Sequence, residues 1–196
     1  LGLGAIIFLQ FSILGLSFLL PNHVQLVAGA GQTEAGTVLL WGCVVGAIMA
    51  PVSGRLLDRL GVRIPIMSGA CCALLAVVVL AVIAPSMSTM QATLVYVLFG
   101  FGQSLMYGNN MTCALRFLPA GIKPDGNAMF TTLQQLAGAV GTSVTAAVVN
   151  AAQVGATDMA AATATGTQMA LMVVTCTTCV SLACAFLETG RAQRNQ

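Results

Sequence analysis

Long apolar runs alternate with short polar breaks along the whole chain. A helix needs about 20 residues to cross the hydrocarbon of a bilayer. Charges, prolines and small polar turns cut the sequence into six runs of that length, at 3–27, 34–55, 64–84, 90–115, 127–149 and 166–186. The breaks are Ala28–Thr33, a basic stretch ending at Arg63, Pro85–Thr89, Arg116–Asp125 with Pro119, Gly121 and Pro124, and a small-residue loop holding Gly155 and Asp158. Thr33 followed by Glu34 predicts a capped helix start, and Pro65 suits a first helical turn. The pattern predicts an all-α membrane protein: a six-span bundle over residues 1–188 and a short tail at 189–196.

Composition agrees. The 196 residues are 58% hydrophobic and 6% charged, with mean hydropathy +0.94, whereas soluble domains carry about 25% charged residues. A net charge of +2 gives no reason to expect a nucleic-acid partner. The first run follows Leu1 with no charged n-region or cleavage site, so it reads as a span and not as a signal peptide. An opening on Leu1 points to a fragment.

The placement of charge tests the division into spans. Arg55, Arg59 and Arg63 follow the second run, Arg116 and Lys123 the fourth, and Arg191 and Arg194 the sixth. All seven basic residues fall on one side of a six-span bundle, and His23, Glu34 and Asp158 on the other. The positive-inside rule makes the basic side cytoplasmic, with both termini there, in a cell (inner or plasma) membrane.

Small residues let helices pack closely in lipid. Gly42, Gly46, Ala50 and Gly54 recur at every fourth position of the second run, and Gly100, Ser104 and Gly108 do so in the fourth. Gly138 and Gly141 lie in the fifth. The third run is apolar on every face from Leu74 to Ile83, and the sixth has threonines and cysteines but no charge. These two are expected to support the others. Deep polar residues concentrate elsewhere: Gln10 and Asn22 in the first run, Tyr96, Gln103, Tyr107 and Asn110 on one face of the fourth, Thr131 and Gln135 in the fifth. They either line a wet cavity for a small-molecule substrate or bond neighbouring helices. Met106 and Phe130 are further cavity candidates.

Other chemistry is sparse. The seven cysteines sit in apolar runs and read as buried packing residues. Cys176 and Cys179 have redox or metal-ligand spacing without a second pair, and His23 is the only histidine. Neither a metal site nor a cofactor is expected, and no His/Asp/Glu cluster supports a membrane-embedded hydrolase.

The second break reads Gly54-Arg-Leu-Leu-Asp58-Arg59-Leu-Gly61-Val-Arg63. It resembles the signature of the major facilitator superfamily, Gly-x-x-x-Asp-Arg-x-Gly followed by basic residues. Gly54, Asp58, Arg59, Gly61 and Arg63 match, and Val62 departs where the fullest form is basic. Such a loop suits a gate, because an acid there makes a contact in one conformation and loses it in another. The stretch Gly126–Gly141, with Gln134, Gln135, Gly138 and Gly141, is similar to the penultimate span of fourteen-span drug:proton antiporters, and Leu19–Gly29 to the start of their last six-span block. The resemblance implies the C-terminal half of such a fold, an absent N-terminal half as partner, and proton-coupled export of apolar or cationic solutes. It also implies that the coupling carboxylates lie in the absent half. A transporter of another solute class, and a standalone six-span protein pairing with a partner half, remain alternatives.

Overall fold

The computed structural model describes residues 2–116 and 119–194. Six long helices account for nearly all of them: α1 Gly2–Leu26, α2 Gln32–Leu60, α3 Arg63–Ile83, α4 Thr89–Arg116, α5 Lys123–Gln153 and α6 Met159–Arg194. The helices outrun the apolar segments. α2 continues through Asp58 and Arg59, so Gly61 and Val62 alone link it to α3. Arginine and leucine are good helix formers, and nothing stops α2 until Gly61 at φ 75°, whose N–H closes on the Leu57 carbonyl.

The starts differ in chemistry. α4 opens on a reciprocal capping box: Ser88 N–H donates to Gln91 Oε1 and Gln91 N–H to Ser88 Oγ. Asp158 caps α6, its Oδ1 accepting from the N–H groups of Ala160 and Ala161. Pro124 occupies the first turn of α5. The start expected at Thr33 lies earlier. Gly31 is the N-cap of α2, and Thr37, inside the helix, donates to the Glu34 carbonyl.

α1 packs on α5 and α6, α4 packs on α2 and α3, and α3 meets α6. Exchanging α1 with α4, α2 with α5 and α3 with α6 maps the principal pairs onto one another, as expected of an internal repeat. The main core joins Leu16, Leu19, Leu20 and Val24 to Val77, Leu80, Phe99, Leu171 and Val174. Hydroxyls bridge α1 to α6: Ser12 pairs with Thr178 at 2.9 Å, and Ser181 donates to the Ala5 carbonyl at 2.7 Å. These bonds fit an apolar solvent, where polar side chains find their partners within the bundle.

The outer surface is apolar. Leu40, Trp41, Ile48, Leu75, Val82, Leu94, Leu136 and Phe186 are all exposed, far more than a water-facing surface carries. The protein is a membrane protein. Among the described residues, four helical stretches are long and apolar enough to cross a bilayer: Leu3–Leu26, Gln32–Leu60, Arg63–Ser86 and Met159–Gly190. α4 and α5 lie outside that group. The cysteines depart from expectation. Cys113 is buried, but Cys43, Cys71, Cys176 and Cys179 are exposed. An apolar exterior accommodates a thiol as well as the core does.

Candidate solute groove

A groove of about 700 Å³ runs along the α2–α4 contact, with Ile13 and Ser17 of α1 behind it. Glycine shapes it. α2 and α4 cross with backbones touching: a Cβ on Gly100 would lie 2.5 Å from the Gly42 carbonyl oxygen. One on Gly42 would strike the Tyr96 ring, which stacks on Phe99 with centroids 5.8 Å apart. Towards the basic end the helices diverge. A Cβ on Gly46 would only graze the Gly100 carbonyl at 3.8 Å, while Gly54 and Gly108 face open space. The stripe on α2 therefore closes the groove at Gly42 and leaves room at Gly54. Gly108 clears space and packs against nothing, contrary to the expected packing role.

The lining is neutral and polar over most of its length. Ser17, Tyr96, Gln103, Ser104, Tyr107, Asn109 and Thr112 supply hydroxyls and amides, and Gly42, Ala47 and Ala50 the apolar wall. Among the described residues, Asp58, at the end of α2, is the only charged one that lines the groove. Asn109 holds this end together: its Nδ2 donates to Ser53 Oγ at 2.9 Å and to the Leu105 carbonyl at 2.8 Å. Ser53 directly precedes Gly54, so the clasp anchors the segment that carries Asp58.

Of the cavity candidates, Tyr96, Gln103 and Tyr107 line the groove. The others lie apart from it. Gln10 is buried within α1. Asn22 is half-buried near the opposite end, next to fully buried His23. Asn110 is fully buried, with no hydrogen-bond partner on either side-chain atom. Thr131 and Gln135 are exposed on α5, and Met106 lies in a small core cluster with Leu9, Ile66 and Cys113. Phe130 does not line the groove either. The second wall thus comes from α2 and not α5.

The basic-end motif is arranged simply. Gly54 and Asp58 reach the groove, Arg59 is exposed on the last turn of α2, Gly61 makes the turn, and Arg63 begins α3 with its guanidinium 5.8 Å from the Phe186 ring centroid. On α5 the close approaches are at Gly138, against Leu14, and Gly141, against the Phe11 backbone. A third crossing, Gly69 on Gly102, joins α3 to α4.

Sequence reasoning missed Asn109 and named Gln134 only within the family-like stretch, not as a site residue. Asn109 and Asn110 are adjacent, so they point about 100° apart. The groove face of α4 runs through Gly100, Gln103, Ser104, Tyr107 and Gly108, and Asn109 sits at its α2 edge. Asn110 instead follows Met106 and Cys113 into the bundle. Gln134 begins the buried α5 stripe Gln134, Gly138, Gly141, Thr145 and Val149. That helical spacing was present in the sequence, one residue away from the stripe through Gln135.

Residues 2–142 match the Major Facilitator Superfamily. Over 190 residues the chain is 32% identical to "Lincomycin resistance protein LmrB" of Listeria monocytogenes, covering 92% of this chain and 40% of that protein. A protein of the same name from Bacillus subtilis is 33% identical over 153 residues, covering 78% of this chain and 32% of its own length. "Uncharacterized MFS-type transporter YhcA" of Bacillus subtilis is 33% identical over 127 residues, covering 65% and 24% respectively. The chain spans at most about two-fifths of these relatives. They are described as transporters and resistance proteins, not enzymes. Shared sequence over most of the chain and the signature from Gly54 to Arg63 lead to one assignment: the chain belongs to the Major Facilitator Superfamily.

Proposed function

We propose that this chain is the C-terminal, six-span half of a secondary transporter that exports drugs or other apolar and cationic small molecules by alternating access. One observation carries the reading: a hydroxyl- and amide-lined groove whose one charged lining residue, among the described residues, is an acid at its rim, in a chain similar to lincomycin resistance proteins. An apolar or cationic solute is at home there, and an anion would meet the Asp58 carboxylate.

In this reading all six helices cross a cell membrane, with both termini and the basic loops in the cytoplasm. α4 and α5 are then the spans whose amides are tolerated because they face a wet cavity. The exposed faces of α2 and α5 turn towards the N-terminal half, so Thr131 and Gln135 complete the cavity only when that half is present. The turn from Asp58 to Arg63 acts as the cytoplasmic gate. No carboxylate lies in the middle of a span, so the proton-coupling groups belong to the other half.

The test is drug susceptibility and dye efflux with the intact transporter in a host stripped of its own pumps. Raised tolerance to lincomycin that collapses with the proton gradient supports the reading. Unchanged tolerance at verified membrane expression refutes it.

A further inference from the structure

α4 packs tightly on α2 and α3 but only lightly on α5. Within that light contact, the Tyr107 hydroxyl donates to Gln134 Oε1 at 2.8 Å. The Gln134 amide nitrogen faces Met111 Sδ, one turn further along α4, at 4.0 Å. Gln134 is buried, 4% exposed, although it is a long amide on an otherwise small-residue stripe. Tyr107 is half-buried and also lines the groove. Both residues lie in the halves of their helices nearer the basic loop that joins them.

A tyrosine hydroxyl has one proton to donate. Here that proton goes to α5, yet the residue that carries it also lines the groove. A solute bearing a carbonyl, ether or hydroxyl oxygen competes for it directly. When the solute takes the proton, Gln134 Oε1 is left buried without its donor, which favours an arrangement that moves α5 away from α4 and wets the amide. Occupancy and helix separation are then linked through one hydrogen bond, with the differential contact that a ligand-driven shift requires.

We propose that Tyr107 is a shared donor. It latches α4 to α5 through Gln134 while the groove is empty, and it releases α5 when it turns to an oxygen-bearing solute. The solute is an uncharged or cationic molecule with at least one exposed acceptor oxygen. This rests on the transport reading above, but the latch itself is measurable without transport.

Spin labels at Ala114→Cys in α4 and Asn127→Cys in α5, in the intact transporter in bilayers with its native cysteines replaced, report the separation of the two helices at their basic ends. Without solute, Tyr107→Phe and Gln134→Leu should shift the distance distribution to longer values than the parent. Gln134→Glu keeps an acceptor oxygen facing Tyr107 and should retain the parent distribution. Lincomycin should lengthen the parent distance and leave Tyr107→Phe unmoved. A Tyr107→Phe distribution that overlays the parent without solute overturns the latch, as does a Gln134→Glu distribution as long as that of Gln134→Leu. A parent distance that stays fixed at saturating levels of an exported solute overturns the sharing. Failure of the intact transporter to export any drug counts against the transport reading alone, since the solute-free distances decide the latch without it.

Discussion

Gly100 rests on the carbonyl oxygen of Gly42, so close that no side chain fits between α2 and α4 at that point. The contact fixes where the groove ends. Beyond it the helices diverge, and Gly54 and Gly108 look into open space. The same residue type therefore does opposite things along one helix pair.

That contrast gives the first prediction. Gly100→Ala should lower the thermal stability of the transporter in detergent, by about 1–3 kcal/mol, as overpacking typically does. Gly108→Ala meets no atom within 4 Å and should leave stability unchanged or raise it by up to about 1 kcal/mol, because glycine is the poorer helix former. Thermal unfolding of the two variants side by side checks both.

The clasp at Asn109 should be measurable but modest. Asn109→Ala removes the bonds to Ser53 and the Leu105 carbonyl. Interhelical hydrogen bonds in membranes average about 0.6 kcal/mol, so a small loss of stability is expected. The larger effect should be on export, because the clasp steadies the turn of α2 that carries Asp58. A double-mutant cycle with Ser53→Ala separates the two effects.

Asn110 should behave oppositely to its neighbour. It is fully buried and its amide has no partner. Replacing such a group by an apolar side chain of similar shape is neutral or stabilising. Asn110→Leu should raise the unfolding temperature or leave it alone, with the drug profile unaltered. Gln103→Ala, on the groove wall, should change which drugs are exported with little change in stability. Susceptibility panels across several drugs distinguish these outcomes.

Asp58→Asn should keep membrane insertion and reduce export. A gate contact contributing about 1.4 kcal/mol corresponds to a tenfold change in the balance of states, so roughly tenfold slower efflux is expected at matched expression. Unchanged efflux would remove Asp58 from the gate.

Helix number and approximate position were legible because both follow from long apolar runs and their breaks. Small residues at helical spacing flagged Gly42, Gly100, Gly138 and Gly141, which make close approaches, but also Gly108, which faces open space. Helix ends were less so, since α2 runs on past the apolar segment to Leu60. Site residues were least legible. One position along a helix turns a side chain through about 100°. That separates Asn109 on the groove from Asn110 inside the bundle, and buried Gln134 from exposed Gln135. Which of two adjacent amides faces a groove depends on the rotation of the helix against its neighbours, and two equally polar residues in a row leave that rotation open.

The central claim is that the α2–α4 groove holds the solute, and Cys43 offers a native reporter. Its thiol is exposed on the groove wall. The rate of Cys43 modification by N-ethylmaleimide in the intact transporter, with and without saturating lincomycin, is the direct test. Marked slowing by lincomycin, reversed when the drug is washed out, is the predicted result. A Cys43 rate unaffected by a drug that the transporter demonstrably exports would place the solute elsewhere and contradict the account.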